Sequence, residues 1–206
     1  RQMMLSAAEP RKRGLTALYA DGEFAASLDT ETWLKSGLHI GDDVTEEQLR
    51  QLFLESETRL AEQKAFRLLG FRPHSQKELE QKLRQKYSVE ASERAARRVA
   101  DMGLIDDAEY ARSLARSLFG RKGFAAFRVK QELLRRGVSR ELAEQAVEEE
   151  EPDPKEEIRR VVRKKYACCL DDEKGRRRAA AGLRRLGYRW DDINGALREF
   201  ISDEEE

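Results

Sequence analysis

Apolar residues recur along this chain at the three- and four-residue stride of amphipathic helices, and the whole arrangement returns at a spacing of 50. The stretch LLGFRPHSQKELEQKL, residues 68–83, lies in register over LFGRKGFAAFRVKQEL, residues 118–133. Leu68 falls over Leu118, Gly70 over Gly120, Leu79 over Val129 and Leu83 over Leu133. One more step reaches Ala179 and Leu183, and sets Arg184-Arg185-Leu186-Gly187 over Leu134-Arg135-Arg136-Gly137. Self-similarity at such a period marks helical repeat arrays, whose units each bury one face on a neighbour. The pattern predicts a mainly α fold: an elongated array of three tandem three-helix repeats, preceded by a small N-terminal β-hairpin element.

Local signals place the joints. Residues 1–14 are polar, with Pro10 and a basic cluster, and read as a ragged tail. Asp21-Gly22 between two short apolar runs predicts a hairpin. Thr45 with Gln48 forms a capping box for a helix reaching about Gly70, with Val44 stapled to Leu49. Ser75 and Glu78 make a second box; Asp106 and Ser139 are further caps. Pro152-Asp153-Pro154 breaks the chain and restarts it, with Asp153 as cap and Pro154 in the first turn. The expected segments are 1–44 (tail and hairpin), 45–103, 104–151 and 152–206 (repeats 1 to 3, the last with an acidic tail).

Charge changes the picture more than composition does. The 40 basic and 40 acidic residues cancel, but they are segregated. Between residues 112 and 140 nine Arg and Lys face the single acid Glu132; Glu148–Glu151 then reverses the sign, basic residues prevail from 155 to 189, and Asp203–Glu206 is acidic. Local fields, not the zero sum, decide whether an anionic partner binds. Adjacent Cys168 and Cys169 on a helix do not form an unstrained disulfide, which favours reduced, inert core thiols in a cytoplasmic protein. There is no apolar run of membrane-spanning length and no secretory start, so no membrane partner is expected.

Catalytic chemistry finds little footing. The pairs Asp42-Asp43, Asp106-Asp107, Asp171-Asp172 and Asp191-Asp192 mostly stand where helices begin, where carboxylates cap amides and complement the dipole rather than hold a metal. His39 and His74 sit at no ligand spacing, no phosphate-binding glycine loop is present, and no nucleophile has a base. The expectation is therefore no catalytic residues, no metal and no cofactor. Binding remains. The candidates are Arg121, Lys122, Arg128, Lys130, Arg135, Arg136, Arg176, Arg177, Arg178, Arg184, Arg185 and Arg189, set against the bland reading of a solvated charged face. A helix-turn-helix regulator that binds DNA by itself is the alternative. Against it, the third helices of repeats 2 and 3 carry Glu141, Glu144, Glu148–Glu151, Asp191, Asp192 and Glu199, which phosphate would repel; only repeat 1, with Arg94, Arg97 and Arg98, suits it.

Three motifs, in this order, carry a resemblance. Arg72-Pro73-His74-Ser75-Gln76-Lys77-Glu78-Leu79 with Leu83, then Gly103-Leu104-Ile105-Asp106-Asp107-Ala108-Glu109-Tyr110-Ala111, then Gln131-Glu132-Leu133-Leu134-Arg135-Arg136-Gly137-Val138, resemble the RecX family of recombinase regulators. The likeness runs from about Thr45 to Phe200, and Tyr19–Leu38 is similar to the leading extension of many members. The resemblance implies tandem three-helix repeats and a non-enzymatic protein that lodges in the groove of the RecA–DNA filament. It implies inhibition of strand exchange, coprotease function and ATP hydrolysis by RecA, with DNA met inside the filament and no catalytic residues. A monomer is expected.

Overall fold

Asp21 and Gly22 both sit at positive φ (51° and 81°), the type I′ geometry that lets two twisted strands meet. They join β2 (Leu15–Ala20) to β3 (Glu23–Asp29), as expected of the hairpin. The structure, a computed structural model, describes residues 2–202. It corrects the reading of a ragged start. Gln2–Arg11 is a ten-residue strand, β1, antiparallel to β2 on one side and to the short β4 (Asp43–Thr45) on the other, giving the order β3-β2-β1-β4. The strand escapes a periodicity search because a register irregularity between Leu5 and Ala7 breaks its alternation. Its pairing is also non-local, with Met3 opposite Val44.

Two compact units divide the chain, Arg1–Ile105 and Asp106–Glu206. In the first, Leu5, Leu18, Leu28 and Val44 pack on Leu49 and Leu52 of α2 (Glu46–Phe71). Asp29 caps α1 (Thr30–Lys35), its amide donates to Ser56 Oγ at 2.6 Å, and its carboxylate meets Arg59 at 3.0 Å, fixing the sheet to α2. The Thr45–Gln48 capping box forms in full. The rest of α2 packs with α3 (Gln76–Leu83) and α4 (Val89–Asp101) around Ala61, Ala65, Leu79, Leu83, Ala95 and Val99. Arg98 clamps this triplet with a fork onto Glu55 (2.9 and 3.0 Å) and a contact to Glu62 (3.1 Å).

The second unit holds two triplets. Asp106 caps α5 (Asp107–Ser117), which passes through a π turn at Leu118–Lys122 and stops at left-handed Gly123. Then come α6 (Ala126–Arg135) and α7 (Arg140–Glu150), the latter capped by Ser139. Asp153 caps α8 (Pro154–Lys165), as read from the prolines. A 3-10 turn at Ala167–Cys169 leads into α9 (Glu173–Arg185) and α10 (Trp190–Ser202). The period survives as burial: Leu79, Val129 and Ala179, and likewise Leu83, Leu133 and Leu183, are all 0% exposed. Each buried Leu contributes about 1.5–3 kcal/mol. The fold is thus mainly α, a small sheet followed along the chain by three three-helix groups. The acidic close at Asp203–Glu206 lies outside the described residues.

Candidate functional site

The connection between α9 and α10 lies against the start of α6, and the bonds at this joint all end on main-chain carbonyls, with one amide and three side chains as donors. The Ala125 amide donates to the Leu186 carbonyl (2.9 Å), and the Tyr188 hydroxyl donates to the Gly123 carbonyl (3.0 Å). Arg128 donates to the Arg185 carbonyl while stacking on the Phe124 ring at 4.1 Å, and Arg160 reaches the Gly120 carbonyl at 3.1 Å. Gly187 has positive φ (97°), and a Cβ there would lie 3.0 Å from that of Arg128, so the approach requires glycine. Burial pushes the Tyr188 hydroxyl up to about 12, so it stays a donor through the physiological range.

This joint sorts the twelve candidate cations. Arg121 and Lys122 lie in the π turn on one side; Arg184, Arg185 and Arg189 lie on the other, and all five are exposed. Among the described residues no carboxylate forms an ion pair with any of the five. Lys130, Arg135 and Arg136 differ. Lys130 is held by Glu144 (2.6 Å), and Arg135 and Arg136 share Glu132 (2.6 and 3.2 Å). Arg135, more than Arg136, holds the Glu132 carboxyl below the usual carboxylate range. Arg176, Arg177 and Arg178 sit at the other end of α9, where Arg177 pairs with Glu173 at 2.5 Å. The joint therefore gathers Arg121, Lys122, Arg128, Arg184, Arg185 and Arg189, and the other six lie away from it.

Acids do structural work. Asp106 and Asp172 accept helix amides from Glu109 (2.9 Å) and Gly175 (2.5 Å), and Asp42 accepts from the His39 amide (2.8 Å). Among the described residues no three His, Cys, Asp or Glu are gathered as a metal site. No described helix is long and apolar enough to cross a membrane. The thiols depart from expectation: Cys168 is exposed and Cys169 half-buried, because the chain leaves α8 before reaching them. Their sulfurs lie 3.5 Å apart, and the Cys168 contact raises the Cys169 thiol pKa.

Comparison with known proteins fits this architecture. Models of the first and second three-helix domains of RecX match residues 61–98 and 106–147. The regulatory protein RecX of Caldanaerobacter subterraneus is 34% identical over 136 residues, 64% of this chain and 66% of that protein. That of Prosthecochloris aestuarii is 34% identical over 96 residues, 46% of this chain and 64% of the relative. That of Pelodictyon phaeoclathratiforme is 30% identical over 138 residues, 66% of this chain and 86% of the relative. The chain belongs to the RecX family.

The match spans just under two thirds of the first two RecX relatives. A crystal structure of regulatory protein RecX superposes with a TM-score of 0.66 at 18% identity, covering 94% of this chain and 98% of that one. RecX from Lactobacillus salivarius gives 0.60 at 21%, covering 70% and 97%. At these identities the likeness is one of fold. The two RecX models leave out α8–α10, the triplet that supplies Arg184, Arg185 and Arg189. Sequence reasoning missed two exposed aromatics in this unit, Phe127 (68%) and Trp190 (51%). The available signal was an aromatic at Trp190, where one period earlier the chain has Arg140.

Proposed function

We propose that this chain is a non-enzymatic, cytoplasmic regulator that binds the groove of RecA–DNA filaments and restrains strand exchange, coprotease function and ATP hydrolysis by the recombinase. Membership of a family whose members are named regulatory proteins supports a regulatory role. The cluster at the joint, Arg121, Lys122, Arg184, Arg185 and Arg189, is the observation that points to an anionic partner, because cations with no carboxylate beside them are free to meet phosphate. Repeats 2 and 3 are its binding part. A helix-turn-helix mode on free duplex is disfavoured by α7, where Glu141, Glu144, Glu148 and Glu149 are exposed and would face phosphate.

The test is ATP turnover by preformed RecA filaments on single-stranded DNA. Adding the chain is expected to slow turnover in a saturable way. Unchanged turnover at saturating protein would overturn the proposal, and sequence-selective duplex binding without filament binding would put the free-standing regulator in its place.

A further inference from the structure

Trp190 is placed where a soluble protein gains little from a tryptophan. On α10 the residues three and seven positions on, Ile193 and Leu197, are buried, and Trp190 stands at the edge of that stripe, half exposed. Beside it runs an open furrow of about 470 Å³ between two helices. One wall is a stripe of α9, Arg176, Arg177, Ala180 and Ala181; the other is a stripe of α10, Trp190, Asn194, Leu197 and Arg198. Both have the spacing of neighbours on a helix face. The lining is mostly apolar, the indole is part of it, and three arginines share the walls. From Trp190 to Arg198 the furrow runs about 12 Å along α10, by helical rise.

We propose that this furrow binds single-stranded nucleic acid, with the Trp190 indole as the platform on which a base stacks and Arg176, Arg177 and Arg198 receiving the flanking phosphates. An aromatic face beside guanidinium groups in a mostly apolar lining is the composition that holds unstacked bases without reading their sequence. The charge fits. The single acid in the lining, Glu173, is tied to Arg177 by a pair whose two side chains are 78% and 72% exposed, and such a pair yields readily to phosphate. A duplex, with its bases stacked and paired, does not offer a base to the indole. The furrow lies wholly within the second unit and does not need a recombinase.

The experiment therefore uses DNA alone, which separates failure of this site from failure of filament regulation. The chain has two tryptophans, so Trp33→Phe leaves Trp190 as the sole indole emitter. Titration with a thymidine 12-mer is expected to quench its emission saturably. An abasic 12-mer of equal charge is expected to bind more weakly and to leave emission unchanged. Trp190→Ala, with helix content checked by circular dichroism, is expected to weaken thymidine 12-mer binding by about 5- to 150-fold, the range supplied by stacking one base. Trp190→Phe is expected to retain most of the affinity. If Trp33→Phe unfolds the N-terminal sheet, anisotropy of labelled 12-mers with the Trp190 variants on the otherwise native chain gives the same comparison. Equal affinity for the two oligomers, or an affinity indifferent to Trp190→Ala, overturns the proposal. So does an emission change that follows protein concentration without DNA, which would mark the furrow as a contact between two copies.

Discussion

His74 is the kind of buried polar residue that is commonly taken for a site. It is 3% exposed, in the loop between α2 and α3, and its two ring nitrogens are both engaged. Nδ1 lies 2.8 Å from the Arg72 carbonyl and Nε2 lies 3.2 Å from the Lys82 ammonium. A carbonyl only accepts and an ammonium only donates, so the ring is neutral with its proton on Nδ1. Burial, more than its charged neighbours, lowers its pKa from the ordinary 6.5. The unfolded chain therefore takes up this proton first as pH falls. The stability contributed by neutral His74 is present in full above pH 6.5 and is lost as pH falls from there to the lowered value. Urea midpoints of the native chain are expected to drop between pH 7.5 and 5.5, and His74→Gln is expected to flatten that drop. An unchanged pH slope in the variant would remove His74 from the account.

At the scale of elements, helix starts were legible because a cap is a local device. Thr45, Ser75, Asp106, Ser139 and Asp153 each accept an amide two or three residues on, so the signal and its structure lie within one turn. Close approaches between elements were not legible. Gly175 sits inside α9, where alanine ordinarily stabilises by about 0.5–1 kcal/mol. A Cβ there would lie 1.4 Å from the Cys169 carbonyl oxygen, because the 3-10 turn folds back onto the helix. Gly175→Ala is expected to cost about 1–3 kcal/mol through this overlap. Gly195→Ala in α10, with nothing within 4 Å of its new methyl, is expected to gain about 0.5–1 kcal/mol. Thermal melting of the two variants gives opposite shifts if the reading is right, and equal shifts if it is wrong.

For the molecule as a whole, the cancelling charge of the sequence hides two populations. Most of the arginines on α2–α8 are spent on neighbours: Arg50 on Glu47, Arg94 on Glu90, Arg112 on Glu109, Arg116 on Glu150. The sequence showed that basic residues cluster, but not which are spent, since pairs such as Arg116–Glu150 join positions far apart in the chain. Nor did it show β1, whose alternation is broken between Leu5 and Ala7 and whose second partner, β4, lies far along the chain. Reversing Arg128, Lys130, Arg135 and Arg136, four of the twelve candidates, would break internal bonds as well as any to DNA. The cleaner set is Arg121, Lys122, Arg184, Arg185 and Arg189 to Glu. It is expected to leave helix content intact and weaken filament binding. The dependence of log affinity on log salt is expected to flatten by up to about 3.5 if all five meet single-strand phosphates. Retained affinity and an unchanged salt slope would place the interface elsewhere.

Main-chain carbonyls accept the bonds at the joint between α6 and the α9–α10 connection, and that has a mechanical consequence. A carbonyl neither titrates nor swings on a rotamer, so the accepting side of the joint keeps its geometry whatever the pH, and its integrity rests on the Arg128 and Tyr188 donors holding their rotamers. The Tyr188 hydroxyl, just ahead of α10, is the link by which a pull on that helix reaches the loop at Gly123.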